Sequence, residues 1–342
     1  MKLTIIGATG FVGSELVKEV LKNFNQIDEI CCFYHSNKRK NKLIGMLNDL
    51  LLSNINNKMK ITNNYLDTAN SDICVICAGK AVSPNIKKIS EGNVKIKDNR
   101  DLLYEKNKDI VMKCIDNVYK FSKNSLIILV TNPVSKLLKD IYTKYPKIKA
   151  VGCGVTNDTF RVRNEYLKVY DDKCENLFVI GEHNLLRQTV ALEFFNTKRE
   201  QKLERKIFEV TISKEKKEKF IKKLKKQQNE LILRNDINTL LEWNKDFPLL
   251  YRSYFIHRMS NFLYRTHIST TEAIEKIIRA YLSEKEIVSA EIKYHFLGKE
   301  FIVGLPIKFE NKDIQIVKIP MNKEEIDILN DCKKKFEIEG VI

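Results

Sequence analysis

The run Leu3-Thr4-Ile5-Ile6-Gly7-Ala8-Thr9-Gly10-Phe11-Val12-Gly13-Ser14 decides how the rest of the chain is read. Apolar and β-branched residues lead into a glycine-rich turn, and from Ser14 to position 23 apolar side chains recur at helical spacing. Strand, tight turn and helix in that order make the first limb of a βαβ unit. Glycines at 7, 10 and 13 let the backbone turn sharply and come close to a pyrophosphate, which then sits at the positive end of the helix. Gly7, Thr9, Gly10, Phe11, Val12 and Gly13 are therefore the candidate contacts to a dinucleotide.

Outward from this turn the first half repeats the alternation. Strands are expected at 3–6, 29–34, 73–77 and 126–131, and helices at 14–23, 41–53 and 108–122. Short apolar runs separated by helices imply right-handed crossovers and a parallel sheet, whose ligands bind beyond the carboxyl ends of the strands. The second half changes character. Charged helical stretches at about 160–175, 200–245 and 268–284 precede strand-like runs at 287–296, 300–309 and 313–319 and a last helix from 323 to about 336. The expected class is α/β: a Rossmann-type doubly wound parallel sheet over 1–150, then an α+β substrate domain over 151–342.

The chain has 342 residues, a length that suits two domains, and 60 Lys plus Arg against 44 Asp plus Glu give it a net charge of +16. Only 12 Gly and 6 Pro exclude collagen-like and disordered classes. No apolar run approaches the roughly 20 residues that span a bilayer, and Met1-Lys2 leads straight into the first strand without a secretory leader. Eight cysteines, at 31, 32, 74, 77, 114, 153, 174 and 332, lie mostly in apolar runs and read as buried reduced thiols of a cytoplasmic protein. Cys74-Val75-Ile76-Cys77 falls within a strand and has no second pair near it, so no metal is expected. Lysine is spread along the chain and concentrates only at 214–226, where Phe220, Ile221 and Leu224 form an apolar stripe. That pattern is a solvated helix face rather than a nucleic-acid patch, and the basic field suits anionic small molecules.

A sheet of this kind that takes NAD places a carboxylate at the end of its second strand, against the ribose hydroxyls. Here no Asp or Glu occurs between Glu29 and Asp49, and the strand end reads His35-Ser36-Asn37-Lys38-Arg39-Lys40. Ser36, Lys38 and Arg39 suit a 2′-phosphate, so NADP is the expected cofactor, with NAD the alternative.

Further pieces follow in order. Ala78-Gly79 and then Asn99-Arg100-Asp101-Leu102-Leu103 with Asn107 come after the strand at 73–77, and Thr131-Asn132-Pro133-Val134 closes the strand at 126–131. Asn157-Asp158-Thr159-Phe160-Arg161 opens the second half, Gly181-Glu182-His183-Asn184 follows another apolar run, and Val303-Gly304-Leu305-Pro306-Ile307 comes near the end. With the glycine turn, these resemble the lactate/malate dehydrogenase family, particularly its archaeal branch. The resemblance implies hydride transfer between NAD(P)H and a 2-oxo acid or its (S)-2-hydroxy acid in a homodimer or homotetramer. It assigns His183 as proton donor, Asp158 as its partner and Arg161 as the clamp on the substrate carboxylate. Arg100 would arrive on a long closing loop to polarise the carbonyl, Asn132 and Thr271 would line the substrate, and Ala78, Gly79, Asn107 and Asn132 would border the cofactor. The chemistry is coherent: imidazolium gives a proton near neutral pH, and guanidinium pairs bidentately with carboxylate. The Asn132–Pro133 bond is a candidate cis peptide.

Departures from that family are plain. Gly79 and Arg100 are 21 residues apart, about twice the usual spacing, and Val82 stands where the family carries its specificity residue. Asn184-Leu185 replaces the usual Gly-Asp after the histidine, extra chain occupies about 196–265, and Glu272 is unusual beside Thr271. These point to a remodelled pocket for a larger or differently charged 2-oxo acid. Two other readings compete: a divergent non-enzymatic NADP-binding or nucleic-acid-associated paralogue, and a short-chain dehydrogenase or epimerase. The latter needs a Tyr-x-x-x-Lys pair, and four scattered matches, at Tyr34, Tyr104, Tyr119 and Tyr145, show only that lysine is abundant.

Overall fold

The strand that opens the sequence, β1 (Lys2–Ile6), lies in the middle of a parallel array, hydrogen-bonded to β2 (Glu29–Phe33) on one side and β4 (Ile73–Ile76) on the other. The computed structural model describes residues 1–49, 59–80, 100–171, 173–183, 187–191, 214–234, 236–245, 247–263, 267–319, 321 and 323–338. Beyond β4 come β5 (Leu126–Leu129) and β6 (Ala150–Gly152), and β3 (Met59–Thr62) is the outer strand next to β2, giving the order β3-β2-β1-β4-β5-β6. β4 and β5 are buried along their whole length, which is why they read as unbroken apolar runs. β3 escaped the sequence reading because an outer strand of four residues keeps polar side chains on its open face.

Several boundaries move. Helix α1 (Phe11–Asn23) starts at the turn itself, with Gly10 as its N-cap. α2 (Asn37–Asp49) begins directly after Ser36, so Lys38 and Arg39 occupy a first helical turn. α3 (Arg100–Phe121) starts at Arg100, eight residues earlier than the spacing predicted. α4 (Val134–Lys144), unpredicted, buries Leu137, Leu138 and Ile141 against the sheet.

The same sheet continues past β6 through one register pair, Gly152 with Glu291, into antiparallel strands. β9 (Val288–Phe296) and β10 (Lys299–Glu310) form a long hairpin, β11 (Asp313–Ile316) pairs with β10, and the short β7 (Val179–Gly181) and β8 (Gln188–Val190) complete an 11-stranded sheet. α5 (Gly154–Tyr170) leaves the carboxyl end of β6, and α9 (Ile268–Ser283) and α10 (Lys323–Phe336) flank the array. A second apolar cluster forms where α6 (Lys214–Leu233), α7 (Ile237–Asn244) and the unpredicted α8 (Leu249–Leu263) pack beside α5. Ile221 and Leu224 are buried there while Lys222 and Lys223 are exposed, as the stripe predicted. Each such aliphatic side chain contributes about 2 kcal/mol. All eight cysteines are free thiols, and none of the described helices is long and apolar enough to cross a membrane.

Candidate active site

The turn after β1 is held from behind. The Gly7 and Ala8 N–H groups both donate to Phe33 O, at 3.1 and 3.2 Å, and the Gly10 N–H donates to Gly7 O at 2.9 Å. Gly7 has φ of +92°, and a Cβ there would lie 2.8 Å from the Ala78 nitrogen; one on Gly13 would strike Gly7 O. Only glycine fits either position. No side chain caps the N-terminus of α1, which leaves the N–H groups of its first turn, next to Thr9 and Gly10, without a side-chain acceptor. An uncapped helix start beside side-chain-free backbone fits a dinucleotide pyrophosphate. At the end of β2, Ser36 O accepts the N–H groups of Arg39 and Lys40, both at 3.0 Å, so Ser36 stands at the mouth of α2. Arg39 is exposed; the Lys38 side chain lies outside the described residues.

Ala78 and Gly79 follow β4, and a Cβ on Gly79 would lie 2.5 Å from the Thr131 methyl. Asn107 requires a correction. Its side chain is 1% exposed, its amide donates to Lys80 O at 3.1 Å and Asn132 O at 2.8 Å, and its oxygen accepts the Lys80 N–H at 2.7 Å. Asn107 thus ties the ends of β4 and β5 together from a buried position.

The reactive cluster lies across the sheet end. Asp158 and Arg161, one turn apart on α5, share a face, with Arg161 Nη1 3.1 Å from Asp158 Oδ1. His183 follows β7, and its Nδ1 is 2.6 Å from Asp158 Oδ2. Gly181, at φ +106°, turns the chain into the β7–β8 hairpin, which brings Gln188 opposite it; the Gln188 amide donates to the same Asp158 oxygen. Burial alone would raise the Asp158 carboxyl, but His183, Arg161 and Gln188 outweigh it and hold it at about 2. One carboxylate thus orients both an imidazole and a guanidinium. Arg161 Nη2 also reaches Ser269 Oγ at 3.4 Å, and its buried Nε has no hydrogen-bond partner among the described residues.

Asn132 is exposed, its peptide bond to Pro133 is cis, and with Ser135, Glu182, His183 and Lys335 it lines a small cleft. Two expectations need correction. Thr271 is 1% exposed and its hydroxyl donates to His267 O one turn back, so Ser269 and not Thr271 meets Arg161. Arg100 begins helix α3 instead of riding on a loop; its side chain, like the insert 81–99 with Val82, lies outside the described residues. Residues 184–186 and 192–213 lie outside them too. On its other side Arg161 borders a cavity of about 300 Å³ lined by Lys168, Ser253, His257, Ser260 and Glu272. Burial, then Arg161, pushes the His257 imidazole down to about 3, so it is neutral. Gln188 and His257 were not read from the sequence. Gln188 alone left a trace there, as a polar residue inside a short buried strand.

The sequence profile of the lactate/malate dehydrogenase NAD binding domain matches residues 1–152. Residues 1–152 therefore resemble the NAD binding domain of the lactate/malate dehydrogenase family. The chain is 32% identical over 193 residues to L-lactate dehydrogenase 2 of Clostridium acetobutylicum, covering 53% of this chain and 55% of that protein. It is 30% identical over 195 residues to malate dehydrogenase of Bacillus subtilis, covering 53% and 56%. The chain thus spans about half the length of the curated relatives it matches. In fold the likeness runs further: malate dehydrogenase of Archaeoglobus fulgidus, solved with NADH, superposes with a TM-score of 0.65 at 21% identity, over 98% of this chain and 97% of that one. The match of residues 1–152 to this family speaks against the short-chain dehydrogenase reading. Of its candidate tyrosines, Tyr104 bonds Asp140 and Tyr145 bonds Asp116.

Proposed function

We propose that the chain transfers a hydride between a nicotinamide dinucleotide held by residues 1–150 and a 2-oxo acid held by residues 151–342, or runs the reverse oxidation of an (S)-2-hydroxy acid. The observation that carries this is the single Asp158 carboxylate joined to both His183 and Arg161. Arg161, with an unpaired buried Nε, takes the substrate carboxylate. Asp158 fixes the His183 ring through Nδ1 and stabilises its imidazolium form, from which the proton passes to the nascent alkoxide. The nicotinamide, when bound, supplies or accepts the hydride. Asn132 orients the substrate oxygen, and Arg100 polarises the carbonyl from the start of α3.

The family profile and the NADH-bound Archaeoglobus fulgidus enzyme speak for NAD. Against them stand the missing carboxylate after β2 and the Ser36-to-Arg39 helix start, which suit a 2′-phosphate. NADPH is the form we propose binds more tightly. A homodimer or homotetramer in the cytoplasm completes the reading.

A panel of 2-oxo acids with NADH and NADPH, followed at the nicotinamide absorbance band, tests it. His183→Asn should lower turnover by about 10²- to 10⁴-fold while leaving dinucleotide affinity unchanged. Arg161→Lys should chiefly raise KM, because an ammonium cannot supply two parallel hydrogen bonds. If His183→Asn keeps wild-type turnover on the best substrate, the proposed chemistry is wrong.

A further inference from the structure

We propose that Glu291, a carboxyl lodged behind His183, is a positioning residue that shares with Asp158 the support of the imidazolium form. The proposal rests on the reading of His183 as proton donor. Glu291 sits on β9 with 0% exposure, in register with Gly152 of β6 and Gly304 of β10. Its side chain occupies space that two glycines leave open. A Cβ on Gly152 would lie 2.8 Å from Glu291 Oε2, and a Cβ on Gly154 would lie 2.5 Å from Oε1. The same Gly154 Cβ would lie 2.8 Å from His183 Cβ and Cγ, so carboxyl and imidazole flank the same glycine. Oε2 accepts the Val155 N–H at 3.2 Å, whereas Oε1 is buried with no partner among the described residues.

Burial raises the Glu291 carboxyl to about 7 against the opposing pull of His183 and the Val155 N–H. It therefore changes charge in the pH range where an imidazole does. The titratable groups facing it are His183 and, from α5, Asp158; the Cys153 thiol, which also feels Glu291, is kept protonated by its own burial. From α4 the apolar Val134 reaches Gly152, and β10 presents Gly304. As pH rises Glu291 gains a negative charge, which favours the imidazolium and keeps the proton donor charged to higher pH. Groups coupled this closely titrate in two steps, not one.

The test is an NMR titration of the full chain with labelled imidazoles, without substrate, the His183 signal being the one lost in His183→Asn. The wild-type His183 curve should be biphasic. In Glu291→Gln it should become a single step with its midpoint lowered by about one unit, a tenfold fall in the imidazolium-to-imidazole ratio. The high-pH limb of kcat/KM for 2-oxo acid reduction should move down by the same amount. A single-step wild-type curve, or a His183 midpoint that Glu291→Gln leaves unmoved, overturns the proposal; if Glu291→Gln does not fold, the wild-type curve alone decides. If no 2-oxo acid is reduced, the dehydrogenase reading falls while the titration still judges Glu291.

Discussion

The parallel region up to Gly152 and the antiparallel region after it share one sheet but offer ligands different things. In the first, the contacts are backbone: N–H groups at the mouth of α1 and space left by Gly7 and Gly13. In the second, they are side chains from separate elements, namely Asp158 and Arg161 of α5, His183 after β7, Gln188 of β8 and Ser269 of α9. A backbone site needs only glycine at a few positions and apolar residues behind it, so it tolerates wide sequence drift and leaves a local signature. A side-chain site depends on how distant segments pack. The family profile, one of the NAD binding domain, covers the first region, and the fold likeness to the Archaeoglobus fulgidus enzyme covers 98% of the chain.

The largest effect that would break this contrast lies at the turn. Gly13→Val puts a side chain onto Gly7 O. It should destabilise the fold by about 1–3 kcal/mol, and calorimetry should show nearly complete loss of dinucleotide binding. If it melts and binds like wild type, backbone approach is not what makes the first site.

The second test concerns the side-chain region and its pH dependence. The Asp158 carboxyl sits at about 2 in the folded chain against its ordinary 3.8, so its stabilisation is fully present above about pH 4 and is lost as pH falls towards 2. Linkage puts the contribution at about 2 kcal/mol. Denaturant melts at pH 6, 4 and 3 should show the wild type losing about half of this by pH 3, roughly 1 kcal/mol, and Asp158→Asn losing much less. Parallel curves for the two proteins would mean that the His183–Asp158–Arg161 cluster is not coupled to folding.

The smallest effect sharpens the comparison within the first region. Lys38→Glu with Arg39→Glu should reduce the proposed preference for NADPH over NADH by roughly threefold to tenfold, since charges at a helix start are each worth a fraction of a kcal/mol to about 1 kcal/mol. The preference itself should shrink as salt rises. An NADH preference in the unaltered chain would show that the missing carboxylate after β2 does not select the cofactor.

What the amino-acid order determined by itself was local. Buried strands advertise themselves as apolar runs, the turn at 7–13 by its glycines, the apolar stripe of α6 by its period, and the Asp158–Arg161 pair by one helical turn. Those features are set by backbone geometry within a few residues. Tertiary structure decided the rest. Asn107 looks like a ligand contact in sequence but closes two strand ends, and Thr271 looks like pocket lining but bonds within its own helix. Gln188 and Glu291 become neighbours of the His183–Asp158 pair only because an antiparallel extension folds β7 to β10 back over the end of β6. No periodicity along the chain encodes a contact made between segments more than a hundred residues apart, as Val155 makes with Glu291; packing alone brings such partners together.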